Sequence, residues 1–209
     1  MARRTSPPPL PVTRRLFAGL GFAVAMGSYY GEKLIGKAAA APSRSTGMSV
    51  FDFEFTSIEG AKLPFSAYRG KPVLVVNTAS FCGYTPQYTE LEKLWDLYKD
   101  KGLVLVGVPS DDFGRQEPGT NAEIKAFCEG FDVSFPMAEK NVVAGPKAHP
   151  LYKWIAQAMG EGATPRWNFF KHLFGRDGQP IASWPSRVSP TGPDIRKAVE
   201  AALAAKPNA

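Results

Sequence analysis

Residues 71–108 read KPVLVVNTASFCGYTPQYTELEKLWDLYKDKGLVLVGV. The two ends of this stretch, Lys71 to Thr78 and Leu103 to Val108, are apolar runs rich in β-branched residues. That is the pattern of strands buried on both faces. Between them, Thr85 to Lys101 has helical spacing. Tyr88, Leu91, Trp95 and Tyr98 fall on one side, while Glu90, Glu92, Lys93, Asp96 and Lys99 fill the wet side. Gly102 provides a residue that takes the left-handed conformation at a helix end without a steric penalty. Strand, helix, strand in this order predicts a right-handed crossover between two parallel strands.

The flanks extend the same pattern. From Val50, the residues Phe51, Phe53 and Phe55 alternate with Asp52, Glu54 and Thr56, which predicts a half-buried strand. Residues 58–62 read as a turn into a returning strand. Downstream, Asn121 is expected to cap a helix running to about Glu129, and Pro150 to Met159 forms a third helical stretch. Trp167 to Phe174 reads as a strand, Arg176-Asp177-Gly178 as a hairpin turn, and Ile181 to Trp184 as its partner. Pro193 to Ala205 is a terminal helix. The expected fold is α/β, a central mixed β-sheet flanked by helices, over residues 50–205.

The chain has 209 residues, 44% hydrophobic and 21% charged, which is enough for one domain with a buried core and excludes wholesale disorder. No apolar run reaches the roughly 18 residues of a membrane-spanning helix. Neither a zinc ribbon nor a zinc finger is expected, and no metal or other cofactor. The net charge of +6 is concentrated at the start, where Arg3, Arg4, Arg14, Arg15, Lys33 and Lys37 face only Glu32. The nearly neutral remainder gives no electrostatic footprint for nucleic acid. Arg14-Arg15 precedes an apolar stretch, Leu16 to Gly31, and then Ala38-Ala39-Ala40, a small-residue cleavage pattern. Residues 1–40 thus read as a twin-arginine-like export signal, with 41–49 as linker. The expected location is the periplasm or cell envelope, with membrane contact only through the leader if it stays uncleaved.

Cys82 lies between a buried strand and a helix that starts near Thr85. The positive end of a helix and its unpaired N–H groups favour the thiolate, the reactive form of cysteine. An inert buried thiol is the alternative. The sequence Cys82-Gly83-Tyr84-Thr85 lacks the second cysteine of a Cys-x-x-Cys exchange motif.

Four blocks then carry a resemblance: residues 76–88 (VNTASFCGYTPQY), 113–119 (FGRQEPG), 145–152 (GPKAHPLY), and Trp167-Asn168-Phe169 followed by Arg176-Asp177-Gly178. In order and approximate spacing they resemble the signatures of the glutathione peroxidase family. The resemblance implies a thioredoxin-like fold and the reduction of hydrogen peroxide and organic or lipid hydroperoxides, in defence against oxidative stress. It implies that Cys82 is the peroxidatic residue and that Gln116, Trp167 and Asn168 complete a catalytic tetrad. A thiolate attacking a peroxide oxygen becomes a sulfenic acid, and amide and indole N–H groups can stabilise the departing oxygen. Without the resemblance, Gln116 reads as a loop hydrogen bond, Trp167 as core and Asn168 as a turn residue.

Cys128 occupies the place of the resolving cysteine in the thioredoxin-dependent branch. The resemblance therefore implies a Cys82–Cys128 disulfide, reduced by a thioredoxin-like dithiol. Bridging requires Cα atoms within roughly 7 Å, so the helix around Cys128 is expected to unwind in part, which Gly130 permits. A glutathione-dependent one-cysteine peroxidase, an exported peroxide sensor and a non-catalytic thioredoxin-like binding protein remain as alternatives, as does a static disulfide. Two departures stand out. Pro109-Ser110-Asp111-Asp112 replaces the Pro-Cys-Asn-Gln of many members, which adds acidic charge that would discourage glutathione. Only a short segment separates Lys153-Trp154-Ile155 from Trp167, as in monomeric members. For His149 and His172 the expectation is capping or packing, and Tyr84, Phe113 and Phe169 are either site walls or core.

Overall fold

The structure is a computed structural model and describes residues 47–206. The export signal expected over 1–40, and residues 41–46 of the linker, lie outside the described residues. In chain order the elements are β1 (Glu54–Thr56), β2 (Lys62–Pro64), β3 (Val73–Thr78), α1 (Gln87–Tyr98), β4 (Val104–Pro109), α2 (Asn121–Glu129), α3 (Pro150–Met159), β5 (Lys171–Phe174), β6 (Pro180–Trp184) and α4 (Pro193–Ala204). A four-stranded sheet has the order β4-β3-β5-β6. β3 and β4 are parallel, and β5 is antiparallel to both β3 and β6. β1 and β2 form a separate antiparallel hairpin.

Every residue of β3 and β4 is buried, as their unbroken apolar runs require. The two-residue period of β3 divides the core. Leu74 and Val76 pack with Tyr88, Leu91 and Leu94 of α1 and Ile195 and Val199 of α4. Val73 and Val75 pack on the other face with Phe53, Phe55 and Phe65, and with Trp154 and Ile155 of α3. The mixed sheet therefore carries helices on both faces. Nothing long and apolar enough to cross a membrane occurs among the helices of the described residues.

Several local expectations are corrected. Val50–Asp52 is a 3-10 turn, and only Glu54–Thr56 is strand. The Asp52 carboxylate accepts from Ser49 N–H at 2.8 Å and curls the chain there, although the burial alternation of Phe51, Phe53 and Phe55 holds. The helix after Cys82 begins at Gln87, tightens to 3-10 over Lys99–Lys101 and ends at Gly102, with φ +101°. Its buried face uses Leu94, while Trp95 is only half-buried. The cap of α2 is Thr120 rather than Asn121. Thr120 N–H donates to Glu123 Oε2 at 2.7 Å and Glu123 N–H returns to Thr120 Oγ1 at 3.3 Å. Asn121 instead accepts from Lys140 N–H through Oδ1. The strand expected over 167–174 is confined to Lys171–Phe174, because residues 167–170 turn around Asn77.

Candidate active site

The site forms where β3 ends. Cys82 is 7% exposed and sits in the turn between β3 and α1. Thr85 fixes that turn. Its Oγ1 accepts from Cys82 N–H at 3.0 Å and lies 3.0 Å from Ala79 O and 3.2 Å from Ser80 O, the carbonyls to which its hydroxyl can donate. Thr85 N–H in turn bonds Cys82 O. The Tyr84 N–H donates to Cys82 Sγ at 3.4 Å, so a backbone amide holds the sulfur directly.

Two other segments close on this turn. Phe81 N–H, one residue before the cysteine, donates to Gln116 O at 3.0 Å. Asn168 is fully buried and donates from Nδ2 to Gln116 Oε1 at 2.9 Å. Trp167 is 40% exposed and packs its ring 6.1 Å from that of Phe113. Thus Gln116 and Asn168 touch directly, Trp167 is the chain neighbour of Asn168, and Cys82 is tied to Gln116 through Phe81.

Asn77 holds the Trp167–Phe170 turn in place. Its Nδ2 donates to Trp167 O at 3.1 Å, its Oδ1 accepts from Phe170 N–H at 3.0 Å, and its carbonyl accepts from Phe169 N–H. Phe169 adopts φ +60°, a left-handed conformation unusual for an aromatic residue. A second clamp lies behind Asn168. Ser186 Oγ donates to Asn168 O at 2.6 Å. The buried Lys171 Nζ donates to Gln87 Oε1, Ser186 O and Val188 O. Burial pulls the Lys171 ammonium down to about 7. Sequence reading missed Asn77, Lys171 and Thr85 as organisers. The signal for Asn77 was an amide inside an otherwise apolar strand.

The acidic pair at 111–112 is engaged in loop structure. Asp111 Oδ1 accepts from Glu117 N–H, and Asp112 Oδ2 accepts from the Val143 and Ala144 N–H groups. Both histidines are structural. His149 caps α3 through Nδ1, stacks on Phe55 at 3.9 Å, and sits with Nε2 3.0 Å from Glu54 O. His172 is fully buried against Ser183 Oγ, and burial holds it down to about 3, so it stays neutral. Phe169 is core, Phe113 is a partner of Trp167, and Tyr84 lines a cavity with Trp167 and Arg187.

Cys128 lies in the last turn of α2 and is 4% exposed. Burial pushes its thiol up to about 11. Both cysteines are free thiols in one core cluster. The residue preceding each is a phenylalanine, and the Phe81 and Phe127 rings stand 6.0 Å apart. Only Ile124 and Cys128 are buried among the nine residues of α2.

A cysteine turn at the end of a central strand, in a sheet of this order, defines a redox protein of the thioredoxin-like class. Comparison with known proteins narrows the class. The glutathione peroxidase family model matches residues 50–156. A glutathione peroxidase of Lactococcus lactis is 44% identical over 68% of this chain and 93% of its own length. The hydroperoxy fatty acid reductase Gpx2 of Synechocystis is 44% identical over 71% of this chain and 95% of its own. Among solved structures, apo Trgpx superposes with TM-score 0.63 at 35% identity, covering 76% of this chain and 97% of that one. This chain belongs to the glutathione peroxidase family. It is accordingly a peroxidase, an oxidoreductase that reduces hydroperoxides.

Proposed function

We propose that this protein is a two-cysteine peroxidase that takes its electrons from a thioredoxin-like dithiol. Cys82 Sγ attacks the terminal oxygen of the hydroperoxide, becomes a sulfenic acid and releases water or an alcohol. Gln116 and Trp167 supply N–H donors that stabilise the departing oxygen, and Asn168, whose Nδ2 donates to Gln116 Oε1 and Phe113 O, orients Gln116. Because Asn168 donates to Gln116 Oε1, the amide nitrogen is the end of Gln116 left for substrate. Cys128 then attacks the sulfenic sulfur, and the dithiol partner reduces the resulting disulfide.

The observation that carries the reading is the placement of Cys128. It is a free thiol in the same core cluster as Cys82, on a nine-residue helix anchored by two buried side chains. A helix so lightly held can unwind at low cost and deliver its last turn. Substrates are hydrogen peroxide and organic hydroperoxides, including those of lipids. Similarity to a protein named hydroperoxy fatty acid reductase supports the lipid class.

The leader reading joins this proposal. Arg14-Arg15 and Ala38-Ala39-Ala40 support export and a role outside the cytoplasm. The short segment before Trp167 supports a monomer, which light scattering tests directly.

The deciding experiment is peroxide-dependent NADPH oxidation by the full chain. One arm contains thioredoxin and its reductase, the other glutathione and its reductase, with wild type, Cys82→Ser and Cys128→Ser in each. Turnover confined to thioredoxin and lost in both variants is expected. Glutathione turnover that survives Cys128→Ser would return the protein to the one-cysteine mechanism.

A further inference from the structure

Glu117 directly follows Gln116 and is fully buried, and no donor meets either carboxylate oxygen at full hydrogen-bond geometry, the Ser80 amide and hydroxyl being the nearest groups that act on it. Its backbone is pinned, with N–H donating to Asp111 Oδ1 and O accepting from Lys140 Nζ. Its side chain faces a cavity of about 360 Å³ shared with Ser80, Phe81 and Phe127. Phe81 and Phe127 are the chain neighbours of the two cysteines, so residues of both segments line the cavity that Glu117 lines, although neither cysteine does.

The groups acting on it come from each neighbouring element. Burial raises its pKa, the Ser80 amide and hydroxyl and the more distant Lys140 oppose that, and Asp111 adds to it. Its charge also acts on Tyr88 of α1 and on Cys128 of α2, raising both. A buried carboxyl so thinly paired costs stability, and such groups concentrate where a proton must move.

We propose that Glu117 carries the proton in the resolving step, as the base that takes it from Cys128 and the acid that returns it to the oxygen leaving Cys82. The inference rests on the two-cysteine reading above. The Cys128 Sγ–H proton passes to the Glu117 carboxylate. The Cys128 thiolate attacks Cys82 Sγ, the S–S bond forms and the S–O bond breaks. Hydroxide departs, takes the proton from Glu117 and leaves as water. The two cysteines end as a disulfide and the carboxylate is regenerated, so no further reactant is consumed. The need for a base follows from the burial of Cys128, whose thiol stays protonated near neutral pH. A base already desolvated, whose charge acts on that thiol, requires no water to enter the closing core.

The test uses the reduced full chain and one equivalent of hydrogen peroxide, quenched at intervals. Dimedone trapping reports the Cys82 sulfenic acid, and free-thiol alkylation reports the disulfide. In Glu117→Gln, disulfide closure is expected to slow at least tenfold while sulfenic acid accumulates. Glu117→Asp should recover part of the rate. A merely structural role would slow Cys82 oxidation and disulfide closure together, and that result overturns the proposal. Closure in Glu117→Gln at or above the wild-type rate overturns it too, since the carboxylate would then only burden the thiol. A wild type that keeps its Cys128 thiol overturns the two-cysteine reading itself. Loss of both wild-type thiols separates that failure from one confined to Glu117.

Discussion

The two cysteines are buried to almost the same degree, 7% and 4% exposed, yet they sit in opposite kinds of surroundings. The Cys82 turn hangs from β3, a strand buried at all six positions and paired on both sides. Thr85 ties that turn down through the Cys82 amide and the carbonyls of Ala79 and Ser80. Cys128 rides on α2, held by Ile124, by its own side chain, by the half-buried Phe127, by the Asn121–Lys140 hydrogen bond and by the Thr120–Glu123 capping box. The segment after it is tied to α1 by Ser134, whose N–H and hydroxyl donate to Glu92. Burial therefore does not rank the two sites by mobility, and the number and kind of anchors does. In the proposed cycle the first thiol is the one fixed where an incoming oxygen must be aligned, and the second is the one on the less anchored element.

Removing either thiol breaks the comparison most sharply. Cys82→Ser is expected to lower peroxide turnover at least ~1000-fold, the usual scale for loss of a nucleophile, with the melting temperature nearly unchanged. Cys128→Ser should leave the first oxidation of Cys82 intact in a single-turnover assay while thioredoxin-coupled turnover falls about 100-fold. Retained coupled turnover in that variant would erase the proposed division of labour.

Next in size is Asn77→Ala, which strips the Trp167 carbonyl and the Phe170 amide of their buried partner. Chemical denaturation should show a loss of about 2–4 kcal/mol. Peroxidase activity should fall along with it, because Trp167 and Asn168 ride on that turn. Stability loss without activity loss would show that the turn keeps its shape unaided.

Thr120→Ala tests the lightly held side. Loss of the cap should weaken α2 by about 1 kcal/mol, which raises its local opening about fivefold in amide exchange, while β3 amides stay protected. Equal protection of α2 and β3 in the wild type would dissolve the contrast. The smallest effect is on pH. The folded-state pKa of Cys128 is raised from 9.0 to about 11, so the unfolded chain loses that proton first as pH rises. The stabilising contribution is complete below about pH 9 and lost progressively towards 11. Wild type should therefore lose melting temperature relative to Cys128→Ser across that window, and parallel curves would contradict the burial of the thiol.

How far these features were legible in the chain depends on their range. The β3–α1–β4 unit follows from patterns within residues 71–108, and it places Cys82 at the end of a buried strand without further information. The Thr120 cap was also legible, since Glu123 stands three residues beyond it, although the neighbouring Asn121 competes on residue type alone. The turn at 167–170 was not, because it depends on Asn77, some ninety positions away, and the local pattern of aromatic and apolar residues imitates a strand. Glu117 and Lys171 look like ordinary surface charges in the sequence. Only the packing of distant segments turns one into a buried carboxyl and the other into a three-acceptor clamp.

The pairing of β3 with β5 sets Val73 against Phe174. A ribosome making this chain therefore releases Cys82 and Cys128 well before the strand that positions Asn168. Closing so long a loop is slow, because its entropy is lost before the contacts that reward it form. During synthesis the thiols exist without the Asn168 amide that meets Gln116, and that amide is placed only once the turn at 167–170 closes on Asn77. On the proposed mechanism, catalytic competence is thus coupled to completion of the sheet, and a product truncated before Trp167 is expected to keep its cysteines but not the reaction.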